Sequence, residues 1–241
     1  MKQNIYDHPD FFQGYKALRM SDSGLNGLLE EPAMNSLLPD LKNLSILDLG
    51  CGMGQFAERA INEGASQVTG IDISANMINE AKSRHTELCH FIQVPVEDFS
   101  YPSEQYDLVT SSLCFHYIKE LSTLLNNIAR TLKPGGQLIF SVEHPICTAL
   151  LQGWLVEKGE KTHWPVDHYF DESTRQQHWH IDGVVKYHRT TATLLNTVFD
   201  AGLSLQKVLE PQPVEHATEQ LPSMADHDRR PAILMVSAQK Q

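Results

Sequence analysis

The chain is poor in basic charge, has no cysteine pairs and carries no long apolar run. Its 241 residues hold 19 Lys and Arg against 30 Asp and Glu, a formal charge of −11. No basic block or stripe is present, so a phosphate-backbone partner is not expected and nucleic acid falls away as a substrate. The four cysteines, Cys51, Cys89, Cys114 and Cys147, form no CxxC pair and no zinc-like spacing. They read as free thiols in a reducing cytoplasm. The N-terminal MKQNIYDHPDFF lacks an apolar signal core. No stretch approaches the ~20 apolar residues a membrane span requires. Internal repeats and low-complexity tracts are also missing. A cytoplasmic protein acting on small molecules, without membrane or nucleic acid, as monomer or homodimer, is the expectation.

At 41% hydrophobic residues the chain can bury a full core, enough for one medium domain with a small insertion. From Ser45 to Val142 short apolar runs alternate with longer amphipathic ones. SILDLG, SQVTGID, CHFIQV, YDLVTSS and QLIFSVEH read as strands. MGQFAERAINEG, SANMINEAKSRHTE (N-capped by Ser74) and LSTLLNNIARTLKPGG read as helices, the last stopped by Pro134 and a Gly-Gly turn. Strands alternating with helices predict a parallel sheet covered on both faces. After Pro145 no clear period runs until VVKYHRT, which alternates like an edge strand. TATLLNTVFDAG then reads as a helix, and LSLQKVLE and AILMVSAQ as the last two strands. Two amphipathic stretches, FFQGYKALR and LNGLLEEPAMNSLL, precede residue 45.

Residues 46–54, ILDLGCGMG, place an acid and three alternating glycines directly after a strand. Glycine lets the chain turn sharply and lets a ligand approach bare backbone. The helix that follows offers free N–H groups and the positive end of its dipole. The spacing Gly50-x-Gly52-x-Gly54 differs from the dinucleotide fingerprint GxGxxG, whose third glycine comes one residue later. Asp48, at the strand end, would repel a pyrophosphate and suit a cationic group. Asp72 closes the second strand, where doubly wound nucleotide sites bind ribose hydroxyls. A ligand with a ribose and a positive group but no diphosphate satisfies both acids, and S-adenosylmethionine has those features.

LDLGCGMG followed by GIDIS, then VEDF (96–99), YDLVTSSLCFHYI (106–118) and LKPGGQLIFSVEHP (132–145), resembles the class I S-adenosylmethionine-dependent methyltransferases. The likeness covers about Ser45 to Pro145 strongly and the C-terminal helix and strands more weakly. It implies an α/β, doubly wound, Rossmann-like sheet of seven strands, mostly parallel with an antiparallel last strand. A helical lid at 1–44, a cofactor core at 45–145, a cap insertion at 146–190 and a C-terminal completion at 191–241 go with it. It implies S-adenosylmethionine as cofactor and a set of contacts. Asp48 would orient the methionine amino group, and the backbone at Gly50 and Gly52 would line the methionine and ribose. Asp72 would bind the ribose, with Ile73 and Met77 flanking the adenine. Val96, Glu97 and Asp98 would lie at the adenine edge, where Pro95 replaces an acid that many members carry. Ser111 would touch the methionine. Tyr15 and Arg19 resemble a helix that closes over the methionine carboxylate, for which arginine is suited by bidentate pairing.

Methyl transfer to oxygen or nitrogen can use a base near neutral pKa, and histidine is suited to that task. His116 follows the fourth strand and His144 ends the fifth, both at the ligand-binding edge of a doubly wound sheet. Glu143 should point the opposite way from His144 if the strand persists. His188 lies between Tyr187 and Arg189, a trio suited to an anionic or phenolic substrate. These three histidines are the catalytic candidates. His178 and His180 flank Trp179 and would face one side of a strand, but two ligands are too few for a metal site, and none is expected. Residues 146–190, with Trp154, Trp164 and Trp179, read as the substrate cap, suited to a flat aromatic or carboxylate-bearing acceptor. A non-catalytic S-adenosylmethionine binder is the second reading. A nicotinamide-dependent oxidoreductase is disfavoured by the glycine spacing, by Asp48 and by the lack of a Tyr-x-x-x-Lys pair.

Overall fold

Side chains that alternate between two cores define the sheet at the centre of this computed structural model, which describes residues 2–20, 24–84, 87–179 and 181–241, apart from the side chains of residues 10, 18–20 and 84. The chain opens with α1 (Pro9–Met20), a π-helical turn (Asn26–Glu30) and α2 (Glu31–Leu37). The alternating core follows as β1 (Ser45–Leu49), α3 (Gln55–Asn62), β2 (Gln67–Asp72), α4 (Ala75–Arg84), β3 (Cys89–Gln93), β4 (Tyr106–Ser111), α5 (Leu121–Thr131) and β5 (Leu132–Glu143). The insertion holds α6 (Pro145–Ala149) and two hairpins, β6 (Leu155–Glu157) with β7 (Glu160–His163) and β8 (Thr174–Trp179) with β9 (Ile181–Tyr187). The chain closes with α7 (Thr191–Asp200), β10 (Leu203–Leu209), α8 (Ala217–Gln220), α9 (Ala225–Asp228) and β11 (Ile233–Lys240).

The main sheet has seven strands in the order β10-β11-β5-β4-β1-β2-β3. Only β11 is reversed, pairing antiparallel with both β5 and β10. Successive side chains leave opposite faces of a strand. Ile46, Leu108 and Ile139 accordingly join one core, and Leu47, Val109 and Leu138 the other. All six are fully buried. Truncating any of them to Ala would cost about 2–5 kcal/mol. From β1 the order runs outward through β2 and β3 on one side and through β4 and β5 on the other. The carboxyl ends of β1 and β4 therefore flank the topological switch point, where ligands bind in such sheets.

Two local readings are corrected. The fifth helix ends at Thr131, and LKPGG belongs to β5: Leu132 pairs with Tyr106, and the register resumes at Leu108 with Gln137 after a break. Gly135 bends there with φ +77°. The stretch 146–183, without visible period in sequence, contains the first hairpin and most of the second. Every residue of β6 and nearly every one of β7 is exposed, so no hydrophobic alternation marks them.

Candidate active site

The turn after β1 carries Gly50, Gly52 and Gly54 at φ +76°, +53° and +79°. All three sit in the left-handed region that side chains disfavour. The N–H groups of Gly50 and Cys51 both donate to the Ile71 carbonyl, and that of Gly52 donates to Asp72 Oδ2 at 3.0 Å. A Cβ on Gly50 would meet Cys114 Sγ at 2.9 Å, whereas one on Gly52 would meet nothing within 4 Å. Gly50 is thus required by packing, and Gly52 presents bare backbone to open space.

That space is one cavity of about 1350 Å³. Asp48, Asp72 and Glu30 all line it. Burial pushes Asp48 up to about 7, opposed by the Thr110 hydroxyl donating to its Oδ1 at 3.0 Å, and the charges of Asp72 and Glu30 push it further. Burial likewise raises Asp72 to about 6, against the N–H groups of Ser74 and Gly52 that it accepts. Glu30, on the π-helical turn, accepts from the hydroxyls of Ser112 and Ser141 at 2.8 and 2.7 Å. Asp48 and Asp72 thus present two raised carboxylates to one cavity.

Ile73, Met77, Val96, Glu97 and Asp98 line the cavity beside Asp72, as does Tyr15 across from them. Ser111 lies outside the lining: it is fully buried, and its hydroxyl donates to the Leu49 carbonyl at 2.9 Å. Arg19 is on α1, but its side chain lies outside the described residues. Residues 2–8 form a strap that runs from this end to the second hairpin. Lys2 pairs with Asp98 at 2.5 Å, and Gln3 bonds both backbone groups of Val185. Asp7 accepts from the Ser74 hydroxyl and from the N–H groups of Ala75 and Asn76. Asp7 therefore caps α4 from outside, adding to Ser74, whose hydroxyl accepts from Met77 N at 3.1 Å.

The three candidate histidines separate. Only His116 lines the cavity. Its Nδ1 accepts from the Glu143 N–H at 3.4 Å, so in the neutral ring the proton sits on Nε2. Burial lowers it to about 4, against the pull of Glu143. His144 is buried outside the lining. Its Nδ1 caps α6 by accepting from Ile146 N, and its Nε2 lies 2.9 Å from Glu210. His188, also outside, has Nε2 donating to the Tyr169 carbonyl at 2.9 Å and Nδ1 at 2.7 Å from the Thr148 hydroxyl. Of its sequence neighbours, Tyr187 lines the cavity, while Arg189 donates to the carbonyls of Ile118 and Lys119.

Glu143, Lys186, Tyr6 and Tyr117 were not singled out in sequence for this end of the cavity. Glu143 lines it and takes Lys186 Nζ on Oε1 at 2.5 Å. Burial alone would raise Glu143, but the charges of His116 and Lys186 outweigh it and hold the carboxyl below its ordinary range. The Lys186 side chain is 1% exposed, behind the Trp179 and Tyr117 rings at 5.5 and 5.8 Å. The period-2 rule that turns Glu143 away from His144 was the available signal. Trp179 lines the cavity, but Trp154 and Trp164 do not: they stack edge-on and carry Arg229 and Arg230. Among the described residues no cluster suits a metal ion. His178 pairs with Asp182 at the surface, and His180 lies outside the described residues. No helix among the described residues is long and apolar enough to cross a membrane.

This donor set fits S-adenosylmethionine: bare backbone at Gly52, a ribose-type acid at Asp72 and a second buried carboxylate, Asp48, suited to positive charge. Comparison with known proteins agrees. Residues 47–140 match the methyltransferase-domain family. A Listeria monocytogenes protein assigned as an S-adenosylmethionine-dependent methyltransferase is 40% identical, with a TM-score of 0.84 over 88% of this chain and 96% of its own. A Mesorhizobium loti S-adenosylmethionine-dependent methyltransferase is 36% identical, with a TM-score of 0.83 over 90% of this chain and 100% of its own. The chain belongs to the S-adenosylmethionine-dependent methyltransferases, and S-adenosylmethionine is its cofactor. A Haemophilus influenzae protein of uncharacterised function is 36% identical over 99% of this chain and 98% of its own.

Proposed function

We propose that this enzyme methylates an oxygen or nitrogen of a small organic molecule held between His116, Glu143 and Trp179. The observation that carries the reading is the continuity of the cavity from the glycine turn to those residues. Its volume of about 1350 Å³ exceeds the ~300–1,000 Å³ typical of a pocket for one small ligand. That leaves room for cofactor and acceptor side by side.

S-adenosylmethionine supplies an electrophilic methyl group on a sulfonium. The chain supplies position and dryness. Asp72 holds the ribose hydroxyls, and Asp48 with Glu30 holds the amino end. Ile73 and Met77 flank the adenine, and Val96, Glu97 and Asp98 meet its edge. Tyr15 and Arg19 close over the carboxylate, and Ser111 supports the turn through Leu49. The strap 2–8 and the hairpin β8–β9 cap the acceptor end and keep water out. His116, held neutral with its proton on Nε2, donates a hydrogen bond to a polar atom of the acceptor beside the one methylated, in place of taking a proton. The free thiols fit a cytoplasmic enzyme.

Calorimetric titration with S-adenosylmethionine, S-adenosylhomocysteine and NAD in parallel, followed by tritium transfer from methyl-labelled S-adenosylmethionine to a small-molecule panel, tests this. Label on small acceptors is the expected result. Label that appears only on protein or nucleic acid would refute it.

A further inference from the structure

We infer that the methyl acceptor is a primary or secondary amine attached to an aromatic or other flat apolar body, with Glu143 as the residue that seizes its N–H. This rests on the functional reading above and names the substrate class of the same site.

Three observations carry it. First, Glu143 spends only Oε1 on Lys186; Oε2 has no hydrogen-bond partner among the described residues, and the side chain is 32% exposed on the cavity wall. A carboxylate oxygen with room beside it accepts and never donates while ionised. Second, the cations around His116 and Glu143 are already engaged. Lys186 is on Glu143, and Arg189 is on two carbonyls. Lys119 is paired with Glu120 at 3.8 Å, and Arg230 is stacked on Trp164 at 3.9 Å and donates to Cys147 Sγ. An anionic acceptor at this wall would face Glu143 itself, whose buried cation, Lys186, is already paired with it. Third, the wall beside Glu143 is aromatic, from Trp179, Tyr117 and Tyr6. Aromatic faces next to a carboxylate favour amines over acids.

The nitrogen reacts as its free base. Its lone pair forms the N–C bond as the methyl–sulfur bond breaks, the sulfur keeps that pair, and the surplus N–H proton passes by Glu143 Oε2 to water. Lys186 keeps Glu143 ionised for this and is a positioning residue, since it does not line the cavity.

The test uses wild-type protein saturated with S-adenosylhomocysteine and titrated with tryptamine, tyramine and benzylamine. The matched acids indole-3-acetate, 4-hydroxyphenylacetate and benzoate are run in parallel, and in separate reactions tritium transfer from methyl-labelled S-adenosylmethionine, without S-adenosylhomocysteine, is measured on both sets. Amines should bind and take label on nitrogen while the acids do neither. Glu143→Gln should weaken amine binding at least tenfold with S-adenosylhomocysteine affinity unchanged. The double variant Glu143→Gln, Lys186→Met removes both charges and leaves none buried alone; it should behave the same way if folding is the concern. Preferential binding or labelling of the acids, undiminished amine binding in both variants, or no amine bound at all would overturn the inference. Wild-type protein that binds amines but labels only their hydroxyl oxygens would overturn it too, and would leave the methyltransferase reading standing. Failure to bind S-adenosylhomocysteine would sink both.

Discussion

The glycine-turn end of the cavity, where we propose the cofactor, is assembled from neighbours, and the Glu143 end, where we propose the acceptor, from strangers. Asp48, Gly50, Gly52, Asp72, Ile73 and Met77 come from two strand-to-helix turns of one βαβ unit, tied by the Gly52 N–H to Asp72 bond. Tyr6, His116, Glu143, Trp179 and Lys186 come from the N-terminal strap, the loop after β4, the end of β5 and the second hairpin of the insertion. One end can be written as a short motif because adjacent backbone builds it. The other exists only when distant segments pack.

The comparison can be broken most sharply at Glu143. Glu143→Ala strands the buried Lys186 ammonium, and breaking such a pair costs about 3–5 kcal/mol. Thermal or urea unfolding should record that loss, and Lys186→Met should recover most of it in the double variant. If the single change is neutral, the pair does not hold the acceptor end together. Next in size, Asp72→Ala should weaken S-adenosylmethionine binding by ~1–3 kcal/mol, the scale of hydrogen bonds to a charged group. Calorimetry that finds wild-type affinity would detach Asp72 from the cofactor.

The pH dependence of cofactor binding probes the same end without mutation. In the free protein Asp48 holds its proton up to about 7 and Asp72 up to about 6. A cationic ligand favours the ionised forms, so binding releases those protons and lowers both pKa values. Affinity should be full above about pH 8 and fall about tenfold as pH drops through 7 to 6, one pKa unit being 1.36 kcal/mol. The same raised values act on folding in the opposite direction. The folded carboxylates keep protons that the unfolded chain releases near pH 4, so their contribution to stability is present below that pH and lost as pH rises toward 7. Cofactor-free protein should therefore gain more in melting temperature from S-adenosylmethionine at pH 8 than at pH 6. A gain independent of pH would mean that these acids do not meet the ligand's charge.

The smallest effects should come from the histidines, and they sort by location. His116→Ala should lower kcat/KM about tenfold, the scale of one ~1–1.5 kcal/mol hydrogen bond, with little change in cofactor affinity. His144→Ala and His188→Ala should instead cost about 1 kcal/mol of stability through a lost cap and lost buried bonds, with kcat/KM nearly unchanged. Steady-state kinetics on an identified acceptor would separate them, and a large kcat loss at His144 or His188 would contradict their placement.

Much of this protein was legible in its residues. The apolar runs dictated five core strands, Gly50, Gly52 and Gly54 all adopt positive φ as a sharp turn of glycines allows, and the glycine turn with its flanking motifs gave the cofactor. These are local matters, set by backbone sterics and side-chain period within a few residues. The histidines were less tractable. His116, His144 and His188 share a chemistry and lie near the ligand edge in sequence, yet which ring faces the cavity depends on partners far along the chain, Glu210 for His144 and Tyr169 for His188. The tryptophans divided for the same reason, Trp179 to the cavity and Trp154 and Trp164 to the arginines before β11.

The sequence by itself determined the sheet, the glycine turn and the methyl donor, because contiguous backbone and near neighbours carry those features. Only the tertiary structure decided which residues meet at the far end of the cavity, because a buried lysine, its glutamate and the aromatic wall come together only after the strap and the insertion close over the sheet.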